Sequence, residues 1–283
     1  MQLVTYERNN QRSTGVLTAA GVVDLPSASH GAIPGDMLHL LQGGAAVLAQ
    51  AREATGADRP IPLADVQLKA PIARPGKILG IGLNYADHAA EGGRKKPDYP
   101  LIFAKTVPVT IGMGEAIHLP PVSQMVDFEG ELAVVIGTLA RAVSAQDALN
   151  YIAGYTICND VSARDYQRRS GHTPGKSFET FAPLGPVIVT RDEIPDPHLL
   201  DIRTVVSGQE MQRSNTKHLI FQIPYLIEYL SHIFPLEPGD VITTGTPSGV
   251  GAYREPPRFL KAGDTVRIEV EGIGVLENPV VAG

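Results

Sequence analysis

The segment Asp127-Phe-Glu129-Gly-Glu131 sets three carboxylates at alternate positions, and Leu132-Ala-Val-Val-Ile-Gly137 follows at once. Side chains alternate along a strand, so Glu129 and Glu131 share a face and Asp127 is in position to join them. A nearly continuous apolar run is the pattern of a strand covered on both sides. Acids entering such a strand repel one another and lose hydration, which is costly unless a cation or basic side chains compensate. A second apolar run, Tyr155-Thr-Ile-Cys-Asn-Asp160, also ends in an acid. Two acids from one strand and one from another form a ligand set for a hard cation. Carboxylate and water oxygens suit Mg²⁺, Mn²⁺ or Ca²⁺ better than zinc. Glu129, Glu131 and Asp160 are therefore assigned as metal ligands, with water or substrate completing the shell.

A second group lies upstream. In Gly80-Ile-Gly-Leu-Asn-Tyr-Ala-Asp-His88-Ala-Ala-Glu91-Gly-Gly, a strand runs through a glycine turn into a short helix. His88 and Glu91 are three apart and share a helix face, whereas Asp87 is adjacent to His88 and does not. A carboxylate beside an imidazole fixes its tautomer and raises its basicity, which suits a general base. Gly92 and Gly93 then break the helix, as a mobile lid over residues 84–98 requires. A dinucleotide site is excluded, because Tyr85 stands where the third glycine belongs. Lys105 ends the run Leu101-Ile-Phe-Ala, and Lys176 follows Gly175; either ammonium could face an anionic substrate. The loop Thr243-Thr-Gly245-Thr246-Pro-Ser-Gly-Val-Gly251 offers N–H groups and hydroxyls to a carboxylate. It is no phosphate loop, since no Gly-Lys-Ser/Thr follows.

These residues need a scaffold, and the chain has the length for one. It holds 283 residues, 43% apolar and 19% charged, ordinary for a globular protein with a sizeable core. The net charge of −6 carries no basic footprint for nucleic acid. A single cysteine, Cys158, excludes an internal disulfide framework and a cysteine-rich zinc site. No signal-like amino terminus and no apolar stretch of ~18 residues is present, so a cytoplasmic setting without membrane contact is expected. Residues 1–70 read as a small unit. Leu3–Tyr6 and Gly21–Leu25 look like strands joined by a turn, and Asp36–Leu41 and Ala45–Arg52 look helical. Prolines 60, 62, 71 and 75 mark an extended connection. Residues 71–283 are strand-rich, with Lys77–Ile81, Glu131–Gly137, Gly154–Cys158, Gly185–Thr190, Asp201–Val206, Asp240–Thr244 and Thr265–Val270 as candidate strands. Helices are expected at Ser144–Asn150, from a capping pattern, and at Ile223–Leu230. Strands do not alternate regularly with long helices, so a mixed β (α+β) architecture with peripheral helices is expected, not a doubly wound sheet.

Five ordered segments together resemble the fumarylacetoacetate hydrolase family. They are Gly82-Leu-Asn-Tyr-Ala-Asp-His-Ala-Ala-Glu91, Asp127-Phe-Glu-Gly-Glu-Leu-Ala-Val-Val-Ile-Gly137, Asn159-Asp-Val-Ser-Ala-Arg-Asp165, Lys176-Ser-Phe-Glu-Thr-Phe-Ala-Pro-Leu-Gly-Pro186 and Thr244-Gly-Thr-Pro-Ser-Gly-Val-Gly251. The resemblance implies a catalytic domain of mixed sheets rolled around a central site, in a homodimer, with Mg²⁺ or Mn²⁺ on Glu129, Glu131 and Asp160. It implies that His88 and Glu91 act as a base dyad on a closing lid. Lys176 matches an active-site lysine and Thr246 a substrate-contacting threonine; Lys105 and Gly245 are assigned with Thr246 to the substrate. Three features depart from the pattern: Glu179 replaces a more usual Asp, Lys217-His218 replaces a small or acidic pair, and Arg94-Lys-Lys96 makes the lid basic. Such enzymes act on small α-keto acids. The reaction expected first is hydrolysis of a C–C bond in an acylpyruvate or 2,4-diketo acid, with oxaloacetate-type decarboxylation or enol–keto isomerisation as the alternative. A metal-stabilised binding protein would have no need of the His88–Glu91 pair.

Overall fold

In a computed structural model, which describes residues 1–56, 59–106 and 109–283, the chain forms three sheets and none closes into a barrel. The largest has eleven strands. From one edge it runs Gly21–Asp24, Gln11–Thr18, Gln2–Arg8, Ala182–Thr190, Ile152–Asn159, Gly130–Ile136, Val241–Thr243, Ile78–Gly82 and Leu101–Lys105, with two short strands paired beside this path. A five-stranded sheet is ordered Gln209–Asn215, Asp201–Val206, Thr265–Val270, Gly274–Ala282 and Ile117–Leu119. Val126–Asp127 pairs with Ser162–Ala163 as a small third sheet.

The two central strands, Gly130–Ile136 and Ile152–Asn159, are buried along their whole length. Both faces of the sheet are covered, which is why their sequences are nearly unbroken apolar runs. Leu132, Val134 and Ile136 join one core with Leu226, Ile227 and Leu230 of the helix Ile223–Ile233 and with Ile202 and Ile268 of the second sheet. Ala133 and Val135 face the other way, into a core that holds Leu40 and Leu41 of the helix Met37–Gln42. The amino-terminal segment enters this arrangement by antiparallel pairing of Gln2–Leu3 with Ile188–Val189.

Four strand ends meet side by side in the interior of this sheet. Gly130 is paired with Asn159, Ala133 with Thr243, and Thr243 with Gly80. The start of one strand and the ends of three others therefore lie side by side. Leu101–Lys105 is four strands away from Ile152–Asn159, roughly 19 Å in a flat sheet at the usual spacing. Yet the Lys105 ammonium hydrogen-bonds Asp160 directly. The sheet must curl around this point, as twisted sheets do, and the curl forms the walls of a cavity.

The expected mixed β architecture with peripheral helices is what the chain adopts. Two local expectations need correction. The turn placed between Leu3–Tyr6 and Gly21–Leu25 contains a full strand, Gln11–Thr18, whose first residues are polar and exposed; Leu25 instead opens a one-turn helix capped by Asp24. The helix expected at Ser144–Asn150 is only a 3₁₀ turn, Ala148–Tyr151. Ser144 does make the local bond its position suggests, with Asp147 N donating to its Oγ at 3.3 Å, but the turn that follows has no side-chain cap of its own, and the chain enters the strand at Ile152.

Gly80 shows how backbone choice shapes the cavity. It lies opposite Phe103, and a methyl group added there would sit 2.0 Å from the ring. The absent side chain lets the Phe103 ring lie across the strand. We expect Gly80→Ala to displace that ring and to lower the unfolding free energy by about 1–3 kcal/mol, the usual cost of overpacking, read by urea denaturation. Unchanged stability would mean that the ring is not confined by this glycine.

Candidate active site

Glu129, Glu131 and Asp160 offer carboxylate oxygens that lie within 4.8 Å of one another, and all three residues are buried. Their backbones are cross-linked: Asp160 N donates to Glu129 O at 2.9 Å, and Glu129 N to the Asn159 side-chain oxygen at 3.0 Å. Asp127, which the strand period allowed to join them, does not. It accepts from Gly251 N at 2.8 Å, Ala252 N at 3.0 Å and Arg164 Nε at 2.9 Å, so it anchors the loop after Thr246.

Three buried cations answer these acids. Lys176 Nζ donates to Glu129 at 2.7 Å, Asp160 at 2.5 Å and Ser162 Oγ at 2.9 Å. Arg164 reaches Glu129 at 2.6 Å, and Lys105 contacts Asp160 and Val161 O. Burial alone would raise the Glu129 carboxyl, but Lys176 and Arg164 outweigh it and hold Glu129 well below the usual carboxylate range. The Lys176 ammonium is likewise stabilised against its burial by Asp160 and Glu129. Glu131 is different. Burial and then the charges of Asp160 and Glu129 push it well above the usual range, and its hydrogen bond is from Gly245 N at 2.7 Å. One carboxylate of the three is thus left short of positive charge. A divalent cation would supply it, and three clustered oxygen donors of this hardness fit Mg²⁺ or Mn²⁺.

The His88–Glu91 pair forms as its spacing implies. Glu91 Oε1 lies 2.8 Å from His88 Nδ1, and Glu91 Oε2 accepts from Gly249 N at 2.9 Å. A carboxylate acceptor requires the proton on Nδ1, which leaves Nε2 as the basic nitrogen. His88 packs beside the Tyr253 ring at 5.9 Å.

A cavity of about 300 Å³ joins these groups, with His88, Glu129, Glu131, Asp160, Lys176 and Thr246 in its wall. Lys105 and Gly245, expected as substrate contacts, are engaged instead with Asp160 and Glu131. The Thr246 hydroxyl donates to Gly130 O at 3.0 Å and accepts from Gln212 at 2.7 Å. Of the three departures from the family pattern, only the basic segment Arg94–Lys96 reaches the cavity, through Arg94. Glu179 is exposed, and Lys217 and His218 line a separate groove of about 790 Å³.

Sequence reasoning passed over Arg164, Phe103, His172 and Tyr253, all in the cavity wall. Arg164 had a signal, since it lies in the quoted Asn159–Asp165 segment close to an assigned acid. His172 stacks on Phe103 at 5.5 Å, and Lys176 Nζ lies 4.8 Å from the same ring centre. Nothing in their spacing predicts those contacts.

Residues 77–281 match the family model for the C-terminal domain of fumarylacetoacetate (FAA) hydrolase. The mitochondrial oxaloacetate tautomerase Fahd2a of Rattus norvegicus is 46% identical over 264 residues, 92% of this chain and 84% of that protein. The solved structure of 5-carboxymethyl-2-hydroxymuconate delta-isomerase from Mycobacterium smegmatis is 40% identical, with a TM-score of 0.80 over 100% of this chain and 99% of that one. Maleylpyruvate hydrolase from Sphingobium sp. SYK-6, solved with manganese(II) and pyruvate, is 30% identical, with a TM-score of 0.85 over all of both chains.

The charge imbalance at Glu131 can be tested. Glu131→Gln keeps the shape and removes the poorly compensated charge. Without divalent cation, we expect the variant to be at least as stable as the parent near neutral pH. Added Mn²⁺ should raise the thermal midpoint of the parent, whereas the variant should bind Mn²⁺ about 100-fold more weakly, at the upper end of losses seen when the surroundings of a metal are disturbed. An equal Mn²⁺ shift in both proteins would remove Glu131 from the ligand set.

Proposed function

From the premise that this chain belongs to the fumarylacetoacetate hydrolase family, we propose that it catalyses proton transfer at the carbon next to the keto group of a short 2-oxo acid, interconverting keto and enol forms of an oxaloacetate-type substrate. The observation that carries this reading is the meeting of His88, held by Glu91, with the three acids in the wall of one cavity.

Glu129, Glu131 and Asp160 would hold a divalent cation, which when bound supplies positive charge beside the carboxylate and 2-oxo oxygens. The rest belongs to the chain's own side chains. His88 Nε2 takes the proton from C3, the C–H electron pair becomes the C2=C3 bond, and the negative charge moves to the C2 oxygen. Glu91 holds the ring in the required tautomer and stabilises the imidazolium that forms. Lys176 stands beside Glu129 and Asp160 and offsets the charge developing on the substrate. Arg164 Nη2 is buried with no hydrogen-bond partner among the described residues, a donor available to a substrate oxygen. Delivery of that proton from His88 Nε2 to the C2 oxygen gives the neutral enol and frees the imidazole, and the same steps in reverse return the keto form, with no net change in the protein.

The relatives favour this order of readings. The 46% identity is to an oxaloacetate tautomerase and the 40% identity to an isomerase, whereas the hydrolysis expected first from sequence finds support in the 30% identity to a maleylpyruvate hydrolase. Hydrolysis remains the second reading, because the same dyad could activate a water molecule.

One variant separates the two reactions from binding. With Mg²⁺ or Mn²⁺ present, the parent protein should accelerate the enol-to-keto conversion of oxaloacetate, followed by the ultraviolet absorbance of the enol. Glu91→Gln should slow it about 10²–10⁴-fold, while the affinity for oxalate, a mimic of the pyruvate enolate, changes little. Wild-type speed in Glu91→Gln would end the base assignment. A parent protein inert toward oxaloacetate but able to cleave acetylpyruvate would make hydrolysis the leading reading.

A further inference from the structure

Two guanidinium groups in the cavity wall have a different status from the cations below them. Arg164, Lys176 and Lys105 are all bound to acids. Arg94 and Arg168 also line the cavity, but neither side chain has a hydrogen-bond or ion-pair acceptor among the described residues. The two come from different elements. Arg168 lies on the helix Arg164–Ser170, four residues after Arg164. It therefore shares the face of Arg164 and stands about 6 Å further along the axis. The next residue, Arg169, instead sits 4.1 Å over the Tyr166 ring. Arg94 follows the helix Ala86–Glu91. Arg94 N donates to Ala89 O at 2.8 Å and Gly93 N to Ala90 O at 3.0 Å, with Gly93 at φ 66°. That paired ending fixes where the chain leaves the helix, so Arg94 is delivered to the cavity and not left on a wandering loop.

We propose that Arg94 and Arg168 together receive a second carboxylate, at the far end of the substrate, and so select dicarboxylic 2-oxo acids over monocarboxylic ones. This rests on the reading of the site as one for 2-oxo acids. Charge supports it. Asp127, Glu129, Glu131 and Asp160 face three buried cations, which leaves a single negative charge; one divalent cation turns that into a single positive charge. A monocarboxylic acid would leave both arginines without an anion. A dicarboxylic acid brings one negative charge to the acid cluster and a second to the arginine pair. Two cations on one carboxylate give charge-assisted hydrogen bonds, stronger than neutral ones.

The test uses two inert probes with the same oxalyl end, N-methyloxamate and N-oxalylglycine, which differ by the distal carboxylate. Binding to the Mn²⁺-loaded protein is measured by calorimetry, with Arg94→Gln, Arg168→Gln and, as a control outside the cavity wall, Lys95→Gln. N-oxalylglycine should bind the parent at least about 10-fold more tightly than N-methyloxamate. Each arginine variant should lose about 10-fold for N-oxalylglycine and little for N-methyloxamate, and Lys95→Gln should match the parent. If N-methyloxamate binds but N-oxalylglycine gains nothing, or if all three variants lose equally, the distal subsite is wrong and the 2-oxo acid reading stands. If neither probe binds the parent, the 2-oxo acid reading fails, and the subsite with it.

Discussion

The burial of several like charges in one place is the constraint on which the rest of this structure depends. Asp127, Glu129, Glu131 and Asp160 are each at most 5% exposed. Removing a carboxylate from water costs several kcal/mol even after the surroundings relax. The chain meets that cost with specific partners: backbone N–H groups from the loop between Thr244 and Ala252, and ammonium and guanidinium groups from three separate elements. Each partner must be delivered by the fold. The curl of the large sheet brings Lys105 to Asp160, and the small two-stranded sheet holds Val126–Asp127 against Ser162–Ala163, next to Arg164.

The compensation is uneven, and the unevenness has a chemical use. Glu129 is over-supplied with cations and stays ionised. Glu131 is under-supplied, so its charge is costly until another cation arrives. A cluster balanced entirely by its own lysines would gain little from a metal. This one keeps a deficit beside the cavity, so binding energy for a cation is available there. The basic nitrogen of His88 faces the same cavity while its other nitrogen is tied to Glu91. The acid cluster and the imidazole are thus carried by different elements and meet only at the cavity.

The loop from Thr244 to Ala252 couples these two parts. Gly245 N binds Glu131, Gly249 N binds Glu91, and Gly251 N binds Asp127. One short segment therefore fixes the acid cluster and the dyad relative to each other. Gly249 has φ 102°, and a side chain there would meet Met211 O at 2.1 Å. The glycine pattern in this loop is what lets its backbone come so close.

Several decisions were legible in the residues alone. The alternation of acids before an apolar run located Glu129 and Glu131, the acid at the end of Tyr155–Asp160 added the third member of the cluster, and the three-residue spacing paired His88 with Glu91. These follow from the local periods of strand and helix, which the backbone imposes regardless of context. The central strands were visible for the same reason. What lay outside reach depends on which strands become neighbours. The strand period allowed Asp127 into the acid cluster, and only the position of Arg164 and the loop at Gly251 took it out. Lys105 and Gly245 appeared free to meet a substrate, but the rolled sheet turned both toward the acids. The open cations at Arg94 and Arg168 are defined by what does not approach them, and no spacing in a single chain encodes that. Local geometry is set within a few residues, whereas the pairing of charges across 16 to 55 residues is settled only when the sheet has curled and the cavity has closed around it.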